Sequence, residues 1–310
     1  FIELPVKIGG TITGLDGDGL VLTNNGGDDL AISADGAFAF TNALEHGTSY
    51  AVVVKSQPSN PTQMCSVTNG TSNAGDEDVT DVQVICHTMS FSVGGTVTGL
   101  AGSGLVLQNN GGDDLSVNAD GTFTFATPVS SSATYGVTVK TQSTMPWQTC
   151  AVTANTGIVT NANVTGVVVA CTTNRYHVGG TLSGLGTGNS ITLRDNGGDD
   201  LTLSGDGNFT FPAQVTSGQP YAVTVVANPT SPISQTCTVT SGAGLVAGSD
   251  VASVQVACTT DGFKISGTVS GLTGTGLVLR NNGGDDLAIT GDGTFTFATP
   301  VASGATSSDA

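Results

Sequence analysis

The sequence is poor in basic residues, in charge of either sign and in long apolar runs. Lysine and arginine number 7 against 24 aspartates and glutamates in 310 residues, so the net charge is −17. A protein that binds nucleic acid needs a basic face that contacts the phosphates, and a protein that binds an anionic membrane surface needs one as well. No apolar run approaches the roughly 18 residues of a membrane-spanning helix. We therefore expect a soluble protein with no nucleic-acid partner and no membrane insertion.

Helix-forming residues are scarce as well. Glu occurs three times and Lys four times, whereas Gly occurs 45 times. The apolar fraction of 38% lies below the globular norm of about 45–50%, which raises the alternatives of small cores or disorder. Disorder is excluded because Val, Leu, Ile and Phe alternate with Thr, Ser, Asn and Gly at period two, the pattern of half-buried strands. The sequence predicts an all-β protein.

Four copies of one set of motifs begin at a spacing near 85 residues. Each copy opens on a glycine before a strand and continues with NNGGDDL or DNGGDDL and then DGxFxF. The opening glycines are Gly10, Gly95, Gly180 and Gly267. Three copies go on through a Tyr strand and two Cys strands, and the fourth stops before them. We predict β-sandwich repeats of about 85 residues over 1–89, 90–174 and 175–261, and an incomplete repeat over 262–310.

The register of the apolar residues predicts the turns. A three- or five-residue loop around residues 25–27, with Gly at the left-handed position, puts the apolar residues of both flanking strands on one face. Those residues are Leu20, Leu22, Leu30 and Ile32. The same test predicts a second three-residue hairpin at 34–36 that pairs Ile32 with Phe38. Each repeat is therefore expected to contain a β-meander.

The six cysteines fall into three pairs, each separated by 21 residues and each at the same place in its repeat. The pairs are Cys65 with Cys86, Cys150 with Cys171, and Cys237 with Cys258. An even number without CxxC spacing favours disulfides over zinc. Each bond is expected to stabilise its repeat by about 3 kcal/mol. Disulfides imply an oxidising compartment: the cell surface, the periplasm or the medium.

The succession GxVxGL, LxL, DGxFxF, YxVxV and a closing VxVxC strand resembles the transthyretin-like or carboxypeptidase-regulatory-like sandwich. That sandwich is also found in B-type modules of bacterial collagen adhesins, and the pattern is similar to Gly/Thr-rich tandem repeats of bacterial surface proteins. The resemblance implies an extracellular, non-catalytic, seven-stranded, Ig-like sandwich used as a stalk, spacer or adhesive module. Such adhesin modules often carry a Lys–Asn isopeptide bond. Here Val226 stands where Lys55 and Lys140 lie, and Asn163 has Asp at the equivalent positions, so no isopeptide bond is expected.

Half of the acidic residues lie in the GGDD and DG turns, which raises a calcium hypothesis. Carboxylates and glycine carbonyls supply the oxygen ligands that Ca²⁺ prefers. The candidate ligands are Asp28, Asp29, Asp113, Asp114, Asp199, Asp200, Asp285 and Asp286, with Asp16 and Asp18 in addition. The alternative is turn chemistry, because Asp and Asn stabilise tight turns through bonds to their own backbone and no EF-hand spacing is present. No other cofactor is expected.

Catalytic patterns are missing from the sequence. His46, His87 and His177 occupy unrelated positions of their repeats, and none lies in an HExxH or Ser/His/Asp context, so we do not expect an enzyme. The single tryptophan, Trp147, either stacks on a sugar or anchors a loop over the end of its own sandwich, and the anchor is favoured.

The links between repeats are short, and each carries an aromatic residue: Phe91, Tyr176 or Phe263. Packed junctions and a semi-rigid rod are expected. The fourth copy presents Phe295 and Phe297 on an apolar face with an open sheet edge. Either the chain is truncated there, or strands of another subunit complete the sandwich and build a head-to-tail homopolymer. Residues 1–7, beginning with Phe1, are the spare segment for such an exchange.

These observations together predict a structural extracellular protein that forms a stalk, fibre or filament on a bacterial surface, with other copies of itself as partners. The alternative is a calcium-dependent or carbohydrate-binding adhesin module whose partner is a glycan or a host surface.

Overall fold

The chain folds into tandem β-sandwiches, as the alternating pattern predicts. The computed structural model describes residues 4–306, and every regular element in that range is a β-strand. No helix in the described part is long and apolar enough to cross a membrane.

The first repeat contains eight strands in two four-stranded sheets. They are β1 (Ile8–Thr13), β2 (Leu20–Asn24), β3 (Asp28–Ile32), β4 (Gly36–Ala39), β5 (Ser49–Ser56), β6 (Gln63–Thr68), β7 (Thr71–Asn73) and β8 (Val79–Thr88). One sheet has the order β4-β1-β8-β6 and the other the order β3-β2-β5-β7. The short strand β7 makes eight strands where the sequence predicted seven.

The second repeat has the same topology, preceded by a short linker strand. Its strands are β9 (Ser90–Phe91), β10 (Val93–Thr98), β11 (Leu105–Asn109), β12 (Asp113–Val117), β13 (Gly121–Thr124), β14 (Val129–Ser130), β15 (Thr134–Thr141), β16 (Gln148–Thr153), β17 (Thr156–Ile158) and β18 (Val164–Thr173). Sheets β13-β10-β18-β16 and β12-β11-β15-β17 form the sandwich, and β9 pairs with β14.

The third repeat repeats this plan with a longer first strand that includes the linker. Its strands are β19 (Arg175–Ser183), β20 (Ile191–Asp195), β21 (Asp199–Leu203), β22 (Gly207–Thr216), β23 (Pro220–Ala227), β24 (Gln235–Thr240), β25 (Ala243–Leu245) and β26 (Val251–Thr260). They form sheets β22-β19-β26-β24 and β21-β20-β23-β25.

The fourth repeat has six strands, which correspond in order to β9–β14 of the second repeat. Its strands are β27 (Gly262–Phe263), β28 (Ser266–Val269), β29 (Leu277–Asn281), β30 (Asp285–Ile289), β31 (Gly293–Thr296) and β32 (Val301–Ala302). Within the described residues they form three two-stranded sheets, β28-β31, β29-β30 and β27-β32.

Each complete repeat has one apolar core that both sheets supply. In the first repeat, Ile8 and Val84 from one sheet meet Leu20 and Leu22 from the other, and all four side chains are fully buried. The equivalent clusters lie between Val93 and Cys171 and between Val178 and Cys258. Burial of each such side chain stabilises the fold by roughly 1.5–3 kcal/mol. The predicted repeat boundaries themselves stay a prediction.

The hairpin around residues 25–27 has the predicted three-residue loop. Leu20 pairs with Ile32 and Leu22 with Leu30. Asn25 (φ 50°) and Gly26 (φ 70°) both adopt the left-handed conformation, so the asparagine shares the role that the sequence assigned to glycine.

The predicted β-meander is wrong, because the turn at 34–36 crosses from one sheet to the other. β3 lies beside β2, whereas β4 pairs with β1 of the opposite sheet. The Asp35 carboxylate holds the crossing in place by accepting hydrogen bonds from the backbone N–H groups of Gly14 (2.9 Å) and Leu15 (2.8 Å). A crossing and a hairpin both direct alternate residues into the same core, so the register test could not separate them.

The first and last long strands of each complete repeat lie side by side and parallel. β1 pairs with β8 from Ile8 to Thr13. At Gly10 the backbones approach so closely that a Cβ atom would lie 1.8 Å from the carbonyl oxygen of Val82. The repeated glycine therefore permits this parallel pairing.

The contacts of the chain divide it into two units. Unit 1 comprises Phe1–Thr144 and Gln148–Thr172, and unit 2 comprises Met145–Trp147 and Thr173–Ala310.

Candidate functional site

In unit 1 a ring of hydrogen bonds connects the first repeat, the linker and the second repeat. The backbone N–H of Met89 in the linker donates to the carbonyl of Thr62 (2.9 Å), and the N–H of Ser131 donates to the carbonyl of Met89 (2.8 Å). The N–H of Thr62 closes the ring by donating to Oγ of Ser131 (2.9 Å). That hydroxyl, which is buried, donates in turn to the carbonyl of Thr160 (2.6 Å). We call Thr62, Met89 and Ser131, together with the three hydrogen bonds that connect them, a junction ring.

Unit 2 contains a second junction ring, made by Trp147, Asn174 and Ser217. The N–H of Trp147 donates to Oγ of Ser217 at 2.9 Å. Asn174 donates to the carbonyl of Trp147, and Ser217 donates to the carbonyl of Asn174, both at 2.9 Å. The Ser217 hydroxyl donates to the carbonyl of Ala247 (2.7 Å). The geometry thus matches the ring of unit 1 bond for bond.

A third junction ring, also in unit 2, joins Ser234, Asp261 and Ser303. The Ser234 N–H donates to Oγ of Ser303 at 2.9 Å. The Asp261 N–H donates to the carbonyl of Ser234, and the Ser303 N–H to the carbonyl of Asp261. The hydroxyls of Ser234 and Thr236 also donate to the Asp261 carboxylate, which lowers the pKa of that group. The linker is therefore held by side-chain as well as backbone bonds.

Sequence reasoning missed the serines of these rings. Ser131, Ser217 and Ser303 recur at a spacing of 86 residues, and the first two lie four residues before Tyr135 and Tyr221. In the first repeat the equivalent residue is His46, whose Nδ1 lies 3.0 Å from the Asp76 carboxylate. The fixed offset from Tyr is a usable signal, but the abundance of Ser and Thr in the linkers conceals it.

The aromatic residues predicted at the junctions occupy equivalent places but differ in exposure. Phe91 and Tyr176 are partly buried and pack against the cores of the repeats that follow them. Phe263 is 55% exposed. Phe295 and Phe297 meet edge to face, with ring centroids 5.6 Å apart. Phe1 lies outside the described residues.

The second aspartate of each GGDD turn pairs with a cation. The pairs are Asp29 with Lys55, Asp114 with Lys140, Asp200 with Arg194, and Asp286 with Arg280. Each cation lowers the pKa of its aspartate, chiefly through the hydrogen bond that it donates. The lysines come from the strand after the hairpin and the arginines from the first hairpin strand, so the third repeat keeps its cation although Val226 replaces the lysine.

The first aspartate of each turn binds the backbone. Asp28 Oδ2 accepts a hydrogen bond from the N–H of Asn42 (3.1 Å), and Asp113, Asp199 and Asp285 accept equivalent bonds. Asp16 and Asp18 lie at the other end of the five-residue strand β2, about 16 Å away, so the structure does not bring them to the turn. In residues 4–306 no group of three or more His, Cys, Asp or Glu side chains is arranged to hold a metal ion. Calcium binding stays a hypothesis.

All three predicted cysteine pairs form disulfides. Cys65 and Cys86 are direct cross-strand partners on β6 and β8, with Cα atoms 3.9 Å apart. The other two bonds occupy the same position, and all six cysteines are buried in the cores. Each disulfide therefore links neighbouring strands of one sheet.

A buried glutamine two residues before the first cysteine of each pair clamps the loop between the first two strands. Gln63 is 1% exposed, and its Oε1 accepts from the N–H groups of Asp16 (2.9 Å) and Gly17 (2.8 Å). Its Nε2 donates to the carbonyl of Gly14 (2.7 Å). Gln148 makes the same bonds, and Gln235 accepts from the N–H of Gly186 and from Nδ2 of Asn189 while donating to the carbonyl of Gly184. The Gln-x-Cys spacing is the sequence signal for this clamp.

The sequence suggested that Trp147 anchors a loop over its own sandwich, whereas the structure assigns Trp147 to unit 2. Its ring lies on Gly248, where a Cβ atom would be 2.5 Å from the ring. With Met145 and Leu245, which are 83% and 69% exposed, it lines an apolar recess of about 410 Å³. The missing side chain of Gly248 explains this placement.

The three histidines lie apart from one another. His46 pairs with Asp76, while Nδ1 of His177 lies 3.0 Å from the carbonyl of Phe211. His87 is exposed on β8.

Comparisons with known proteins find similarity among solved structures alone. No protein-family model matches the sequence, and no curated protein matches it. Among solved structures the fold is similar to "The Bacillus anthracis TIE protein", with a TM-score of 0.49 and 11% sequence identity. The match covers 96% of this chain and 62% of that chain.

Proposed function

We propose that the chain is a structural part of an extracellular bacterial repeat protein, in which transthyretin-like sandwiches form a stalk, fibre or filament. The observation that carries the proposal is the junction ring. Three linkers are held by the same cycle of backbone and serine hydrogen bonds, so the short links are ordered parts of the fold. Fixed links are what a stiff connector needs.

Two further features support this role. The disulfides suit the oxidising conditions outside the cytoplasm. The carboxylates of the acidic turns have cationic or backbone partners, which suits a structural rather than a catalytic use. Head-to-tail association of copies is part of the proposal.

Negative-stain electron microscopy of the native protein, with and without EDTA, tests this function. The proposal predicts strings of sandwich-sized beads at regular spacing, unchanged by EDTA. Isolated particles with no regular bead spacing would contradict it. Loss of the strings in EDTA would instead favour the calcium-dependent alternative.

The order of the linkers is tested separately by hydrogen exchange on Ser131→Ala. This substitution removes the acceptor of the Thr62 N–H, and we expect exchange at Thr62 and Met89 to rise about tenfold. Ser116→Ala, on the exposed face of β12, is the matched control and should leave both rates unchanged. Equal rates in both variants would show that the ring does not order the linker.

A second candidate function is ligand binding at Trp147. The exposed apolar recess beside the ring favours stacking on a sugar face or contact with an apolar partner. Because Trp147 is the sole tryptophan, its fluorescence reports directly on binding during a glycan screen. If Trp147→Ala binds the same glycan with unchanged affinity in an assay that does not use tryptophan fluorescence, this candidate function is wrong.

A further inference from the structure

The third repeat contains an open polar cleft that adjoins the recess beside Trp147. The cleft has a volume of about 640 Å³ and is lined in part by Arg175, Asp199, Gln214 and Gln219. Gln219 lines the recess as well, so the two adjoin within unit 2. Both volumes fall in the range of roughly 300–1,000 Å³ that is typical of small-molecule sites.

Three long polar side chains of this cleft are found in no other repeat at the equivalent position. Arg175 pairs with Thr216 in the ladder between β19 and β22, and the residues that pair in the same way elsewhere are Ser90 and Gly262. The equivalents of Gln214 are Ala43, Pro128 and Pro300, and those of Gln219 are Thr48, Ala133 and Ala305. The fold therefore forms without these side chains, and their presence in one copy points to a task of that copy.

The cleft presents hydrogen-bonding groups that the described chain leaves available. Nη2 of Arg175 donates to the carbonyl of Gln214 (3.4 Å), and within residues 4–306 the guanidinium has no acidic group within 4 Å. The side-chain amide of Gln219 is exposed. Asp199 Oδ2 accepts from the N–H of Ala213 (3.0 Å). Guanidinium and amide N–H groups donate, while amide and carboxylate oxygens accept, and a sugar hydroxyl can do both.

The adjoining recess differs from its counterparts in a way that favours ring stacking. Trp147 stands where Thr62 and Ser234 lie in the other junction rings. Gly248 stands where the second repeat has Asn161, one residue after the carbonyl that accepts the ring serine hydroxyl. The ring lies against Gly248, and 40% of Trp147 stays exposed. An exposed indole offers a flat apolar surface for the C–H face of a sugar.

We propose that the third repeat binds a neutral oligosaccharide along this surface. One sugar ring stacks on Trp147, and the hydroxyls of a neighbouring ring bind Arg175, Gln214 and Gln219. The net charge of −17 repels an acidic glycan, and Asp199 in the cleft adds to that repulsion. The proposal rests on the second candidate function, ligand binding at Trp147, and the connector role stands even if nothing binds here.

The test is isothermal titration calorimetry of the full chain with cello-, xylo-, manno- and chito-oligosaccharides, and with oligogalacturonate as the acidic comparison. We expect saturable binding of at least one neutral glycan and weaker or no binding of oligogalacturonate. The fluorescence of Trp147 should change over the same titration, because the ring passes from water to a sugar face.

Variants that copy the second repeat test the cleft with residues that its fold tolerates. Arg175→Ser installs the residue found at Ser90, and Gln219→Ala installs the one found at Ala133. Each should weaken binding about fivefold, because hydrogen bonds to the ligand are lost. Gln255→Ala, on the exposed face of β26, is the matched control and should leave the affinity unchanged.

Three results would overturn the proposal: no saturable binding of any neutral glycan, unchanged affinity in both cleft variants, and tighter binding of oligogalacturonate. Trp147→Thr, which copies Thr62, separates the cleft from the recess. If it weakens binding while the cleft variants do not, ligand binding at Trp147 stands and the cleft has no part in it. The strings of beads in electron microscopy report on the connector role independently of these titrations.

Discussion

At the scale of single residues, the two aspartates of each GGDD turn have separate tasks. The first accepts a backbone N–H and the second binds a cation, which comes from a different strand in different repeats. Every repeat therefore places a positive charge beside its second aspartate, but a lysine supplies it in the first two repeats and an arginine in the last two. Aligning only the lysine positions of the repeats misses this, because Val226 stands at the lysine position of the third repeat while Arg194 supplies the charge.

Removal of Lys55 should raise the pKa of Asp29. The hydrogen bond from Lys55 now holds that pKa below its ordinary value of 3.8. A lowered folded-state pKa gives stability that is present above the ordinary value and is lost as the pH falls through the folded-state value. In Lys55→Met we expect the Asp29 pKa to return toward 3.8 and the acid-dependent part of this stability to shrink. Carboxyl NMR titration measures the first effect, with the exposed Lys264→Met as control.

Removal of the glutamine clamp should destabilise a repeat from within. Gln63→Ala leaves the N–H groups of Asp16 and Gly17 without their acceptor, and we expect a loss of about 3 kcal/mol in the first repeat. Native-state hydrogen exchange of the core amides of β1 and β8 measures it. Gln83→Ala, on the exposed face of β8, is the control. Equal losses in both variants would contradict the clamp.

At the scale of elements, the parallel pair of first and last strands depends on one glycine. In Gly95→Ala the new Cβ would lie 1.8 Å from the carbonyl oxygen of Val167. We expect the second repeat to lose more than about 3 kcal/mol, because two backbones must separate. Gly112→Ala, where a Cβ meets open space, should change little. The free energy of unfolding of the second repeat, measured by hydrogen exchange of its amides at increasing denaturant, distinguishes Gly95→Ala from Gly112→Ala.

The sequence predicts strands better than it predicts their neighbours. The three-residue loop at 25–27 follows from register, because an even loop would put Leu22 and Leu30 on opposite faces. The sheet crossing at 34–36 does not follow, because Ile32 and Phe38 enter the core in either arrangement. Parallel pairing of β1 with β8 joins strands about 70 residues apart, and no local pattern records it. The serines of the junction rings are equally hidden in a Ser/Thr-rich background.

At the scale of the whole molecule, reduction should affect the repeats unequally. The three complete repeats each contain one disulfide, and the fourth repeat contains no cysteine. On the chain-entropy model each bond contributes about 3 kcal/mol. We expect a reducing agent to lower the melting temperature of the complete repeats and to leave the exchange of residues 266–296 unchanged. In the variant with Cys65→Ser and Cys86→Ser, the first repeat alone should melt early in calorimetry.

The parallel pairing of β1 with β8 determines how a repeat responds to tension. The chain enters through β1 and leaves through β8, so a pull along the chain acts on opposite ends of two adjacent parallel strands. All the hydrogen bonds between them are then sheared together, whereas an antiparallel pair pulled from one end opens bond by bond. The close backbone contact at Gly10 and the disulfide between β6 and β8 flank this pair. We therefore expect each sandwich to resist a pull that is applied along the chain.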